Sequence, residues 1–200
     1  MSFGRALGLM THPILEWRSI RLESEKASPA PTAHVLILAL IPAIASYIGS
    51  TITGWQIGGG EPVTLTPGSA LVLCGLFYVA MNLGVHLMGH FIDFFAGTYG
   101  TNSQAKKGYI LAAYTASPLF IAGIAAVYPS IWVVLVVGIA AMGYAVTLLY
   151  QGLPIVMGIP EERGFLFASA VMTVGLVMLV SLFGVTVFAW SIGLGPVYIE

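Results

Sequence analysis

Apolar residues run through this chain in five long blocks, at about 34–54, 69–96, 109–127, 131–151 and 165–190. Each block is close to the ~20 residues that cross a hydrocarbon core as a helix. Polar and turn-forming segments separate them. Gly54 to Pro67 carries three consecutive glycines, Gly97 to Lys107 is polar, Tyr128 to Ser130 turns at Pro129, and Gly152 to Gly164 holds two prolines with Glu161, Glu162 and Arg163. The pattern predicts an all-α polytopic membrane protein of five transmembrane helices. Pro42 and Pro118 sit inside the first and third blocks, where each removes one helical hydrogen bond and is expected to kink its span.

Composition strengthens this reading. Of 200 residues, 58% are hydrophobic and 8% charged, against roughly 25% charged in an ordinary soluble domain. Lys and Arg resist translocation and collect on the cytoplasmic side. All seven, Arg5, Arg18, Arg21, Lys26, Lys106, Lys107 and Arg163, fall on one side of the five-span arrangement. The expected topology places the N-terminus in the cytoplasm and the C-terminus outside.

Residues 1–33 form a cytoplasmic segment in this scheme, 34–192 the five-helix domain and 193–200 an external tail. Phe3, Leu7 and Met10 recur at helical spacing, and Pro13 suits the first turn of a second helix bearing Ile14, Trp17 and Arg21. Two short amphipathic helices along the membrane surface are expected, with Trp17 anchored among headgroups. Ser24 to Thr32 reads as a linker. The segment lacks the continuous apolar run of a cleaved signal peptide, so it is expected to be retained.

Charge and motifs exclude several functions. A net charge of −1 offers no basic stripe for nucleic acid. Cys74 is the single cysteine, lies within a span and has no intrachain partner. The chain contains no GxSxG, no GxxxxGK[ST] and no CxxC, and its few acids suggest no acid and base pair, so an enzyme is not expected.

The costly residues are polar ones inside spans. The second block contains Asn82, His86, His90 and Asp93. At 100° per residue, His86, His90 and Asp93 lie about 40°, 80° and 20° from Asn82, one quarter of the helix surface. This arc is expected to face inward. The His86 and His90 spacing lets two imidazoles converge on one divalent transition metal such as zinc, with Asp93 as an oxygen ligand. His34, at a similar depth in an antiparallel neighbour, is a candidate further ligand. The same groups could instead pack by hydrogen bonds across helices or pass protons. Leu87 occupies the position that a metalloprotease HExxH motif gives to its catalytic glutamate. Tyr114, Thr115 and Ser117 surround Pro118 and are candidate polar groups of a broken helix. Glycine-rich faces in spans two to four permit a homodimer or contact with other membrane proteins.

The order of elements resembles the Yip domain family, the Ypt/Rab-interacting membrane proteins, and in particular its short bacterial inner-membrane branch. The resemblance rests on His12-Pro-Ile-Leu-Glu-Trp17, Tyr114-Thr-Ala-Ser-Pro-Leu-Phe120, Tyr128-Pro-Ser-Ile-Trp132 and Leu149-Tyr-Gln-Gly-Leu-Pro154. It implies five helices, a cytoplasmic N-terminus and the inner membrane. Eukaryotic relatives are associated with small GTPases and vesicle traffic, and many of them carry a long cytoplasmic N-terminal region, which is not expected of a chain with 33 residues before its first block. No catalytic residue is carried over. The expected function is a non-enzymatic membrane scaffold or interaction protein, with a divalent-metal or proton binder or transporter as the alternative.

Overall fold

The computed structural model describes residues 2–25, 31–55, 62–101 and 107–199. Helices α1 (Ser2–Thr11) and α2 (Pro13–Glu25) precede the first span. The linker segment 26–30, Gly58 to Gly60, and the bases Lys26 and Lys106 lie outside the described residues, as does the Phe3 side chain.

Five helical segments are long and apolar enough to cross a membrane: Thr32–Thr53, Pro67–Tyr99, Lys107–Val127, Ile131–Met157 and Glu161–Leu194. They comprise α3 (Thr32–Ile48) with a π-helical end at Gly49–Thr53, α4 (Pro67–Ala96), α5 (Lys107–Thr115) followed by α6 (Ser117–Ala122), α7 (Ile131–Met157), and α8 (Glu161–Ala189). The chain is an all-α, multi-pass membrane protein.

The two internal prolines behave differently. Pro118 opens α6 after a break at Ala116, so the third span is two helices joined by a turn. The α3 helix continues through Pro42 to Ile48, and its last turn widens to a π-helix at Gly49–Thr53. Gly123, just past α6, brings its backbone against Pro42, where a side chain would come within 2.9 Å of the Pro42 Cα.

Helix α7 also exceeds its expected end at Gln151, continuing through Pro154 to Met157. Proline lacks the N–H of an interior helical residue, but here tertiary cover outweighs local preference. Gly152, Leu153, Val156 and Met157 are buried, and Arg21 of α2 donates to the Ile155 carbonyl at 3.1 Å, one of the orphan acceptors at the helix end. Gly158 then closes the helix with φ 69°, its N–H bonded to the Pro154 carbonyl.

The bundle has two unlike ends. At one, which carries Arg5, Arg18, Arg21, Lys107 and Arg163, α1 and α2 pack onto α3, α6 and α7. The core gathers here: Leu9, Trp17, Leu38, Leu111, Leu153 and Phe167 are all fully buried. At the other end, residues 62–66 pair with the C-terminal segment. Thr66 N–H meets the Val197 carbonyl at 2.9 Å and Ile199 N–H meets that of Thr64 at 3.0 Å. What hydropathy presents as a loop and a tail is joined by backbone hydrogen bonds.

Candidate functional site

The arc expected to face inward on α4 does so at Asp93 and not at the two histidines. Its buried residues are Ala70, Val85, Gly89, Ile92 and Ala96, whereas His86 and His90 are exposed on the outer surface of the bundle. Helix α5 decides the rotation. Gly89 and Gly108 bring the two backbones together so closely that a Cβ on Gly89 would sit 2.6 Å from the Tyr109 Cα. Such an approach needs small residues, and it turns the histidines about 60° and 100° away from the contact. A helical wheel separates the polar arc from this glycine by too little to show which of them is inside.

Each polar residue of the span then finds a distinct place. The His86 and His90 ring centroids are 6.3 Å apart, and His86 lies against Tyr109 at 4.5 Å. Asn82 donates to the Tyr78 carbonyl one turn back at 2.8 Å. Asp93 accepts the Gly108 N–H at 2.8 Å. Gly108 belongs to the first turn of α5, where N–H groups lack intrahelical partners and the helix dipole favours a negative charge. The Asp93 carboxylate thus joins the end of the second span to the start of the third.

His34 is brought to different company. Buried at the start of α3, it sets Nε2 2.8 Å from Ser117 Oγ and lies tilted against the Tyr114 ring, with centroids 4.7 Å apart. Ser117 Oγ–H also reaches the Ala113 carbonyl, 3.4 Å away. Among the described residues no three His, Cys, Asp or Glu side chains converge in a way that could hold a metal ion. The expected ligand set is divided between the outer face, an α5 cap and this buried pair.

The polar residues near Pro118 do come together. Tyr114 and Ser117 are buried beside His34, and Thr115 Oγ1 is buried without a hydrogen-bond partner among the described residues. Trp17, expected among the headgroups, completes the cluster: it is fully buried, edge-on to Tyr114 at 6.4 Å. Its ring covers Gly152, where a Cβ would fall 2.6 Å from Cζ2. The expected headgroup anchor is therefore a core residue. The absence of a side chain at Gly152 makes the room, and neither position alone reveals the pairing.

The cluster is closed from the basic end by α1 and α2. Arg5 and Glu23 form an ion pair. Burial works against the Arg5 charge, but the hydrogen bond to Glu23 and the proximity of Tyr114, Glu23 and Glu16 outweigh it and hold the guanidinium above its ordinary pKa. It stays charged at every pH the protein meets. Tyr144 of α7 donates to the Leu9 carbonyl at 2.9 Å, near the end of α1. Ala6, Leu9, Trp17 and Ile20 face the bundle, while Leu7, Met10, Leu15 and Leu22 are exposed. The two helices are apolar on both sides.

The architecture described here has relatives. The Yip1 domain model matches residues 7–182. The chain belongs to the Yip1 domain family. This Yip1 domain chain is 38% identical over 186 residues to the Inner membrane protein YohC of Escherichia coli K12, covering 93% of the chain and 95% of that relative. The protein of the same name from Escherichia coli O6:H1 strain CFT073 matches to the same extent. No solved structure matches. The family match spans α2 to α7 whole and most of α8. It takes in the Trp17, His34, Tyr114 and Ser117 cluster together with the outer histidines of α4.

Proposed function

We propose that this Yip1 domain protein is a non-enzymatic scaffold of the inner membrane, and that a second copy of the chain docks on the outer face of α4. The observation that carries this reading is the division of polar groups. Asp93 and His34 are used in holding the bundle together. The His86 and His90 pair is left on a stripe with Val72, Leu76, Val79, Leu83 and Phe94, all exposed. An imidazole facing hydrocarbon costs free energy, and cover by a second helix removes that cost through hydrogen bonds.

In this reading residues 1–33 are cytoplasmic, 34–192 are the five-helix domain and 193–200 are external. The gathering of Arg5, Arg18, Arg21, Lys107 and Arg163 at one end supports the orientation. The inner-membrane location agrees with the printed name of the Escherichia coli relative.

Cysteine cross-linking tests the docking. With Cys74 replaced by serine, a cysteine at Val79 or Leu83 is expected to cross-link copies of the chain in native membranes, and His86→Ala with His90→Ala to weaken that product. A monomeric mass in mild detergent and in lipid alike, with no cross-link, would sink the idea.

One observation favours a second reading, as a divalent-metal or proton binder. Two imidazoles at i, i+4 on an exposed face offer half of a four-coordinate zinc site, which the same pair on a second copy would complete. Zinc carried by the purified protein and lost in the His86 and His90 alanine variant supports it. Equal, negligible zinc in both removes it, while proton movement calls for a flux assay in vesicles.

A further inference from the structure

A cleft of about 980 Å³ opens at the basic end between α2, α7 and α8. Its volume lies within the range of small-molecule sites, roughly 300–1,000 Å³. Ile14, Ile155, Ile159, Phe165 and Leu166 supply apolar walls. Phe165 and Leu166 are also exposed on the outer surface of α8, so the wall continues into the lipid-facing side of the helix. At the mouth stand Arg18 from α2 and Glu161 and Glu162 from the first turn of α8. Among the described residues no ion pair joins Arg18 to either glutamate, so both signs of charge remain available to a ligand. Deeper along α7, the cleft is lined by Gln151, whose buried Oε1 has no hydrogen-bond partner among the described residues.

We infer that this cleft binds one phospholipid with a primary-amine headgroup, of the phosphatidylethanolamine type, from the leaflet at the basic end. The phosphate pairs with Arg18, the ammonium donates to the glutamates and to Gln151 Oε1, and the acyl chains leave along Phe165 and Leu166. Three features select this class. A soluble metabolite has no use for walls that run on into the membrane surface. An anionic headgroup without an amine would set its charge beside two carboxylates. A choline headgroup has no N–H to give Gln151, and leaving the buried Oε1 of that residue without a donor is costly. The glutamates also suit the start of α8 through the helix dipole, but that role explains neither the cleft nor the unmatched glutamine.

The site does not depend on association between copies, so it can fail while the scaffold reading stands. The test uses the full chain in phosphatidylcholine vesicles doped with photoactivatable phosphatidylethanolamine, phosphatidylcholine or phosphatidylglycerol, with labelled peptides mapped by mass spectrometry. The ethanolamine probe should label the peptides around Gln151 to Leu166 about tenfold more than either other probe, the ratio expected from one charged hydrogen bond. Gln151→Leu should abolish that preference. Because Gln151 lies near the core, Glu161→Gln with Glu162→Gln, both exposed, is the companion variant and should abolish it with only the small loss of stability that two helix-dipole charges give. Equal labelling by the three lipids, or preference retained in the double variant, would overturn the proposal. Equal labelling by a soluble glycerophosphoethanolamine probe would overturn the assignment to lipid.

Discussion

Trp17 and Trp132 show how differently the two ends of this bundle are built. Trp17, beside arginines, is fully buried against Tyr114 and Gly152. Trp132, at the start of α7, is 74% exposed. The halves around them follow suit. Helix α7 has no buried residue before Ala141, and α8 has none after Val171. Both helices are packed at the basic end and exposed at the other. Trp132 meets the description of an interfacial aromatic anchor, the role that hydropathy suggests for Trp17. The same amphipathic side chain thus serves two quite separate purposes at the two ends, and only its neighbours show which.

The strongest test of this contrast is truncation of both rings. Trp17→Ala should lose about 3–5 kcal/mol, the cost of emptying a large aromatic site, and free α1 and α2 for proteolysis. Trp132→Ala should change stability by less than about 0.5 kcal/mol, as a surface substitution does. Equilibrium unfolding in mild detergent reads both, and equal losses would break the comparison.

The glycine contacts sharpen it. Gly89→Val drives a side chain into the Tyr109 backbone and should cost about 1–3 kcal/mol or more. Gly138→Val, near the exposed start of α7 where nothing lies within 4 Å of an added Cβ, should be nearly neutral. A thermal unfolding series separates them.

Removing the Asp93 carboxylate should come next. Asp93→Ala leaves the first turn of α5 without its acceptor and should cost about 0.5–2 kcal/mol, visible as faster hydrogen exchange at Gly108. Protection unchanged there would mean that the contact contributes nothing. The smallest effect belongs to the Arg5 and Glu23 pair. A double-mutant cycle with alanine at each should return a coupling of about 0–1 kcal/mol that declines with added salt. Since Arg5 is held above its usual pKa, the coupling is lost through the guanidinium only as pH rises through the very alkaline range.

Much of the fold is legible in hydropathy and turn residues. The five expected spans coincide with the five long helices, and Pro13 does begin α2. Where expectation and structure part, a neighbour is responsible. The α2 helix carries α7 beyond Gln151 by covering Gly152 and bonding the Ile155 carbonyl. The α5 helix rotates His86 and His90 outward by claiming Gly89. The buried cluster is half legible, because Tyr114, Thr115 and Ser117 stand out beside their proline. Its other half is hidden: amphipathic spacing sends Trp17 to the headgroups, and depth along the span sends His34 to the α4 histidines rather than to Ser117.

The sequence by itself determined that lipid is the solvent, how many times the chain crosses it and which segments carry the positive charge. These follow from hydropathy and charge summed over stretches of chain, and such sums do not depend on neighbours. Tertiary structure alone decided which arc of each helix is inside, which tryptophan is core and which polar groups meet. Those outcomes depend on where one backbone can approach another, and that depends on pairs of residues as distant in sequence as Trp17 and Gly152.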